Sequence, residues 1–271
     1  IDLDHQQILG STIEQIAGEK AAIIVPGTRA VIGRQHDQAA SEVLMRRCLE
    51  TDVLPVFANE PMAVETDNQG GVIFDYDSSL THYERITPGL RGRHQADNAA
   101  AAIEAAELLN ESGFPIPSEA IIKGLRDVSW PGRLELIEDR PNILLDGAHN
   151  AAGARALRKY LDEFWHVPIT LMFGAMNDKD IDRMAAVLFD AARTIVLTRV
   201  RDSRAADIGR LGAAALRSSR NVIFAETVRK ALSWARSVTP ADGLVCVAGS
   251  LHLVGEVKRL MEEADSQTAL I

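Results

Sequence analysis

Asn142-Ile143-Leu144-Leu145-Asp146-Gly147-Ala148-His149-Asn150 is the run whose reading decides the fold. A short apolar stretch ends on a carboxylate and small residues. A helical pattern over roughly 151–164 follows, and the unit then repeats. Pro168–Gly174, Thr194–Thr198, Asn221–Ala225 and Leu244–Gly249 read as strands, each followed by a helix: about 179–191, 205–217, 226–237 and 250–263. Strands this short and rich in Val, Ile and Leu are expected to be buried on both faces. Their alternation with helices predicts an α/β fold with a mostly parallel sheet between helical layers. Ligands of such sheets bind beyond the carboxyl ends of the strands. Those ends carry Asp146–Asn150, Phe173–Asp180, Thr198–Arg204 and Ala248–His252.

Upstream, Trp130-Pro131-Gly132 breaks the pattern and marks a domain boundary, giving units 1–130 and 131–271. In the first unit a helix is expected over 11–20, capped by Ser11 or Thr12, and then a strand over 21–26. A strand over 30–33, a helix over about 37–50 and strands on either side of the Asn68–Gly71 turn follow. An Ala-rich helix over 95–110 and another over about 118–126 complete the unit.

The 271 residues are 46% apolar and carry a net charge of −9, which argues against nucleic acid or an anionic membrane as partner. Cys48 and Cys246 are far apart and read as buried apolar side chains of a cytoplasmic protein. No run approaches the roughly 18 apolar residues of a membrane span. The sequence holds no GxxxxGK[ST] phosphate loop, no GxGxxG after a strand, no HExxH and no GxSxG. It opens on Ile1 inside a polar, motif-like segment, which reads as a truncated start.

Several polar residues have two readings on sequence alone. His5, beside Asp2 and Asp4, is a metal ligand or a surface imidazole. Lys20 complements a helix C-terminus or serves chemistry. Asn98 caps the Ala-rich helix or hydrogen-bonds a nucleobase edge. Arg133 is a surface guanidinium or a phosphate fork. Asp146 caps the next helix or accepts ribose hydroxyls, His149 faces the same cleft, and Asn150 is an equally good cap.

Six blocks in order resemble the folylpolyglutamate synthase and dihydrofolate synthase family of the Mur ligase superfamily: Asp2–Gly10 with Ile16–Ala21, Arg93–Ala100, Pro131–Glu135, Leu145–Asn150, Phe173–Ala175 with Asp178–Asp180, and Ala248–Leu251. The resemblance implies the latter part of a Mur-ligase-type α/β ATPase domain, without its phosphate loop, followed by a Rossmann-like C-terminal domain. It implies an ATP-dependent ligase that joins L-glutamate to a folate or dihydropteroate carboxylate through an acyl phosphate. The metal would be Mg²⁺, in one or two sites, with K⁺ also allowed. It assigns His5 and a carbamylated Lys20 to metal, and Asn98 and Arg133 to ATP. Asp146 is placed at the ATP ribose and His149 near the phosphates or acyl phosphate by their position at the strand end, so that Lys20 and His149 are the residues expected at the chemistry. Carbamylation needs a neutral amine, which partial burial of Lys20 would favour. Ala151 stands where the family often has Pro, and Ala21-Ala22 where Ala-Gly is commoner. A monomer, inactive without the phosphate loop, is expected. The competing readings are another Mur-like ligase and a non-catalytic nucleotide-binding module.

Overall fold

Leu144 and Leu145 are neighbours in sequence, yet each is fully buried against a different layer of helices. Successive strand residues point to opposite faces, so a strand with no polar alternation has to be covered on both. A computed structural model of the chain describes residues 1–3, 9–218 and 220–268 and divides into two units, Ile1–Ser129 and Trp130–Ile271.

The second unit is built on a six-stranded sheet. Its strands are β6 (Glu135–Ile137), β7 (Asn142–Leu145), β8 (Ile169–Phe173), β9 (Thr194–Thr198), β10 (Asn221–Ala225) and β11 (Leu244–Ala248), in the order β10-β9-β8-β11-β7-β6. All neighbours pair in parallel except β6, which runs antiparallel to β7 at the edge. Helices α5 (Ala151–Phe164), α6 (Ile181–Leu188) and α7 (Ile208–Ala215) cover the face that presents Leu144, Leu171, Phe173 and Cys246. Helices α8 (Val228–Val238) and α9 (Leu251–Thr268) cover the face with Leu145, Met172, Val196 and Val247. This is the expected three-layer α/β arrangement. Cys246 is fully buried, and burial pushes its thiol far above the usual range.

The first unit contains α1 (Ile13–Ala21), β1 (Ala30–Ile32), α2 (Gln38–Glu50), β2 (Pro55–Phe57), β3 (Met62–Thr66), β4 (Val72–Asp77), β5 (His82–Ile86), α3 (His94–Glu111) and α4 (Ser118–Asp127). β1 and β2 form a parallel pair, and β3-β4-β5 an antiparallel sheet. Thr12 caps α1 in a full capping box with Gln15. Phe74, Tyr76 and Ile86 pack on the Ala-rich face of α3. The buried Glu104 and Glu107 of that helix are tied to the sheet by the Tyr76 and Tyr83 hydroxyls, each at 2.8 Å.

The strand expected over 21–26 does not form. Residues 22–27 run as turns and coil, with Ile23 81% exposed and only Ile24 buried. The Thr28 N–H and hydroxyl both bond back to the Val25 carbonyl, closing a turn around Pro26 and Gly27, which has φ +83°. The Pro-Gly pair thus bends the chain before any strand partner is reached.

Candidate active site

Three carboxyl ends of the second sheet meet in one place. The Asp146 N–H bonds the Val247 carbonyl (3.0 Å), the Gly249 N–H the Ala148 carbonyl (2.9 Å), and the Gly174 N–H the Ala248 carbonyl (3.4 Å). The turns after β7, β11 and β8 are therefore laced edge to edge. Backbone packs here so closely that side chains would not fit. A Cβ on Gly174 would lie 2.6 Å from the Thr198 carbonyl oxygen, and one on Gly249 would lie 2.7 Å from that of Gly174.

Asp146, only 8% exposed, is at the centre. Its Oδ1 accepts the Ala148 N–H (2.9 Å) and its Oδ2 the Leu134 N–H (3.0 Å). It is not a helix cap. Asn150 caps α5 by accepting the Gly153 N–H at 2.7 Å. Asp146 instead fastens its own turn to the segment ahead of β6. Burial pushes its carboxyl above the usual range, opposed by the two N–H donors and by nearby Arg133 and His149. A raised folded-state value means that charging Asp146 costs stability. Its contribution is full below the ordinary carboxylate range and is lost as pH rises through the folded value. The stability of the wild type minus that of Asp146→Asn should therefore grow as pH falls from neutral towards the usual Asp range. Denaturant titrations at several pH values would read this, and a flat difference would contradict it.

Beside Asp146, the His149 ring is partly buried, and its Nδ1 lies 2.8 Å from the Gly147 carbonyl. If Nδ1 carries the proton, Nε2 is left as an acceptor or base. Arg133 is exposed and close enough to Asp146 to draw its carboxyl down. Asp146, His149 and Arg133 thus share one locale, joined by Ser250, whose Oγ accepts the His252 N–H at the start of α9 (3.1 Å).

The other expected site residues lie in the first unit or outside the described residues. Asn98 is in the second turn of α3 and is not its cap; that position falls to Arg93, which makes no side-chain cap bond. Asn98 is exposed and donates from Nδ2 to Gln95 Oε1 (2.9 Å), and Gln95 Nε2 lies 3.1 Å from His94 Nε2. Lys20 lies in the last turn of α1, exposed rather than partly buried, at the rim of a cleft of about 340 Å³ beside β1. His5 is outside the described residues. Among those described, no three His, Cys, Asp or Glu side chains are grouped to hold a metal ion.

Glu135 was not singled out as a site residue. Its Oε2 accepts the Gly132 N–H (2.8 Å) and its Oε1 the Lys258 ammonium (2.6 Å). Its only sequence signal was its place in the Pro131–Glu135 block.

Against known proteins, residues 132–251 match the family described as Mur ligase, glutamate ligase domain. The fold of the second unit is that of a Mur-type ligase domain. The chain belongs to the folylpolyglutamate synthase and dihydrofolate synthase family and corresponds to its C-terminal portion. It is 31% identical over 264 residues to the dihydrofolate synthase/folylpolyglutamate synthase of Bacillus subtilis (strain 168), covering 96% of this chain and 60% of that protein. Mycobacterium tuberculosis folylpolyglutamate synthase complexed with ADP superposes with a TM-score of 0.85 at 29% identity, over 96% of this chain and 61% of that one. The bifunctional enzyme of Yersinia pestis complexed with AMPPNP and a Mn ion gives a TM-score of 0.78 at 26% identity, over 97% and 60%. The chain thus spans about three fifths of the length of these relatives.

Proposed function

We propose that this chain is the nucleotide- and amino-acid-handling part of an ATP-dependent ligase that adds L-glutamate to a folate or dihydropteroate carboxylate. The observation that carries the reading is the laced set of turns after β7, β11 and β8, with Asp146, His149 and Arg133 gathered at it. ADP and AMPPNP in the similar structures support the choice of nucleotide.

In this reading the acceptor carboxylate attacks the γ-phosphorus of ATP, and ADP leaves. The glutamate α-amine then attacks the acyl carbon of the resulting acyl phosphate, and inorganic phosphate departs. Arg133, a planar and permanently charged fork, stabilises the charge spread over the transferring phosphoryl group. Asp146 has spare lone pairs beyond its two N–H bonds and accepts a ribose hydroxyl. His149 takes the proton lost by the amine through the nitrogen facing away from Gly147. Asn98 reads the adenine edge, a role compatible with its exposed amide.

Mg²⁺ would be held by His5 and by a carbamate on Lys20, with K⁺ as a further ion. Lys20 is exposed, so its surroundings do not supply the partial burial that would favour a neutral amine; the bound metal would neutralise phosphate charge. The first unit is read as the latter part of the ATPase domain and the second as the C-terminal domain, in a cytoplasmic monomer. No described helix is long and apolar enough to cross a membrane.

The test is glutamate-dependent ADP formation by the natural gene product with magnesium and bicarbonate present, dihydropteroate and a reduced monoglutamyl folate being supplied separately. Turnover with either acceptor is expected. Folded protein that turns over neither would sink the folate reading.

A further inference from the structure

Within the segment from Gly132 to Glu135, every residue but Arg133 is fixed by a bond to the sheet, its turns or a neighbouring side chain. Gly132 is buried, donates to Glu135 Oε2 (2.8 Å) and accepts from the Gly147 N–H (2.7 Å). Leu134 is 3% exposed and donates to Asp146 Oδ2 (3.0 Å). Glu135 pairs with Leu145 in the β6–β7 ladder. Arg133, between two buried residues, is the member whose side chain is free to reach outward.

That geometry is held against a backbone preference. Leu134 has φ +45°, a left-handed conformation that is unfavourable for a residue with a branched side chain and persists only when neighbours enforce it. The enforcing bonds converge on two carboxylates. Asp146 is locked by burial, but Glu135 is about a quarter exposed and would prefer water. What keeps Glu135 turned inward is Lys258 of α9, 123 residues further along the chain, with its ammonium 2.6 Å from Oε1. The pair is only about 30% exposed on either side, so bulk water screens it less than a surface pair.

We propose that Lys258 is a positioning residue for the ligase reaction: through Glu135 and the Gly132 N–H it sets where Arg133 is presented. The proposal rests on the role given above to Arg133. Loss of the ammonium releases Glu135 to solvent, Gly132 loses its acceptor, and Leu134 relaxes from its left-handed conformation. Arg133, one residue away from each, then moves. Misplacing a phosphate-directed group by about an ångström is enough for rate losses on the order of 10²-fold.

Lys258→Met keeps the aliphatic stem and deletes the charge, whereas Lys258→Arg keeps the charge. In this chain, amide hydrogen exchange at Gly132 and Leu134 is expected to quicken by roughly tenfold or more in Lys258→Met, while Val247 and Leu145 keep their protection. Lys258→Arg should restore the slow rates. In the glutamate-dependent ADP assay, Lys258→Met should lower kcat by roughly tenfold or more with little change in KM for ATP. It should cost nothing further in an Arg133→Ala background. Unchanged exchange at Gly132 and Leu134, or a kcat loss of equal size in both backgrounds, overturns the proposal. If Arg133→Ala itself leaves turnover intact, the role of Arg133 fails instead, and exchange alone still decides whether Lys258 holds the segment.

Discussion

Gly249→Ala is expected to destabilise the second unit by about 2–5 kcal/mol. Gly249 has φ +105°, where a side chain is strained whatever the space around it. Space is also lacking. The new Cβ would lie 2.7 Å from the Gly174 carbonyl oxygen and 2.7 Å from the Phe173 ring. The oxygen belongs to a turn laced to this one. The ring is fully buried and packed edge-on against Phe189 at 5.2 Å, so neither yields cheaply. Gly255→Ala is the matched control, since nothing lies within 4 Å of its Cβ position in α9. An exposed helical Gly→Ala change should gain about 0.5–1 kcal/mol. Denaturant midpoints for the two variants should move in opposite directions. A Gly249→Ala protein as stable as wild type would mean that the lacing of the three turns is far looser than described.

Arg133→Ala is expected to lower glutamate-dependent ADP formation by about 10²–10³-fold. Stability should change by no more than about 0.5 kcal/mol, because the side chain is exposed. Arg133→Lys should recover little of the rate. An ammonium carries the charge but not the planar pair of donors that matches phosphate oxygens. Steady-state kinetics beside a denaturation curve separates the two effects. A rate within threefold of wild type would remove Arg133 from the transferring phosphoryl group.

The layered α/β unit was legible in the sequence because its strands are apolar on both faces, and Leu144 and Leu145 do face opposite helical layers. Asn150 was legible as a cap, since capping is local. The direction of β6 was not legible, because an edge strand running antiparallel has the same composition as one running parallel. The stretch 21–26 misled because five apolar residues in a row look buried. Burial depends on what covers them, and Ile23 and Val25 are 81% and 43% exposed. Asn98 reads as a possible cap because Asn is a common capping residue near a helix start, but the helix begins at His94 and places Asn98 in its second turn. The double hold of Asp146 on Leu134 and Ala148, and the pull of Lys258 on Glu135, join residues distant in sequence or hidden in backbone geometry. No spacing rule announces either.

The placement of β11 has a consequence for how the protein is made. Among the described strands this one comes last, yet it lies between β7 and β8, pairing Leu244 with Asn142 on one side and with Ile169 on the other. Until it leaves the ribosome, β7 and β8 each expose a row of unpaired N–H and C=O groups. The nascent domain therefore cannot close its sheet strand by strand in the order of translation. Such late, long-range pairing slows folding and leaves sticky edges open in the interval. A chain ending before residue 244 would lack the strand that joins β7 to β8.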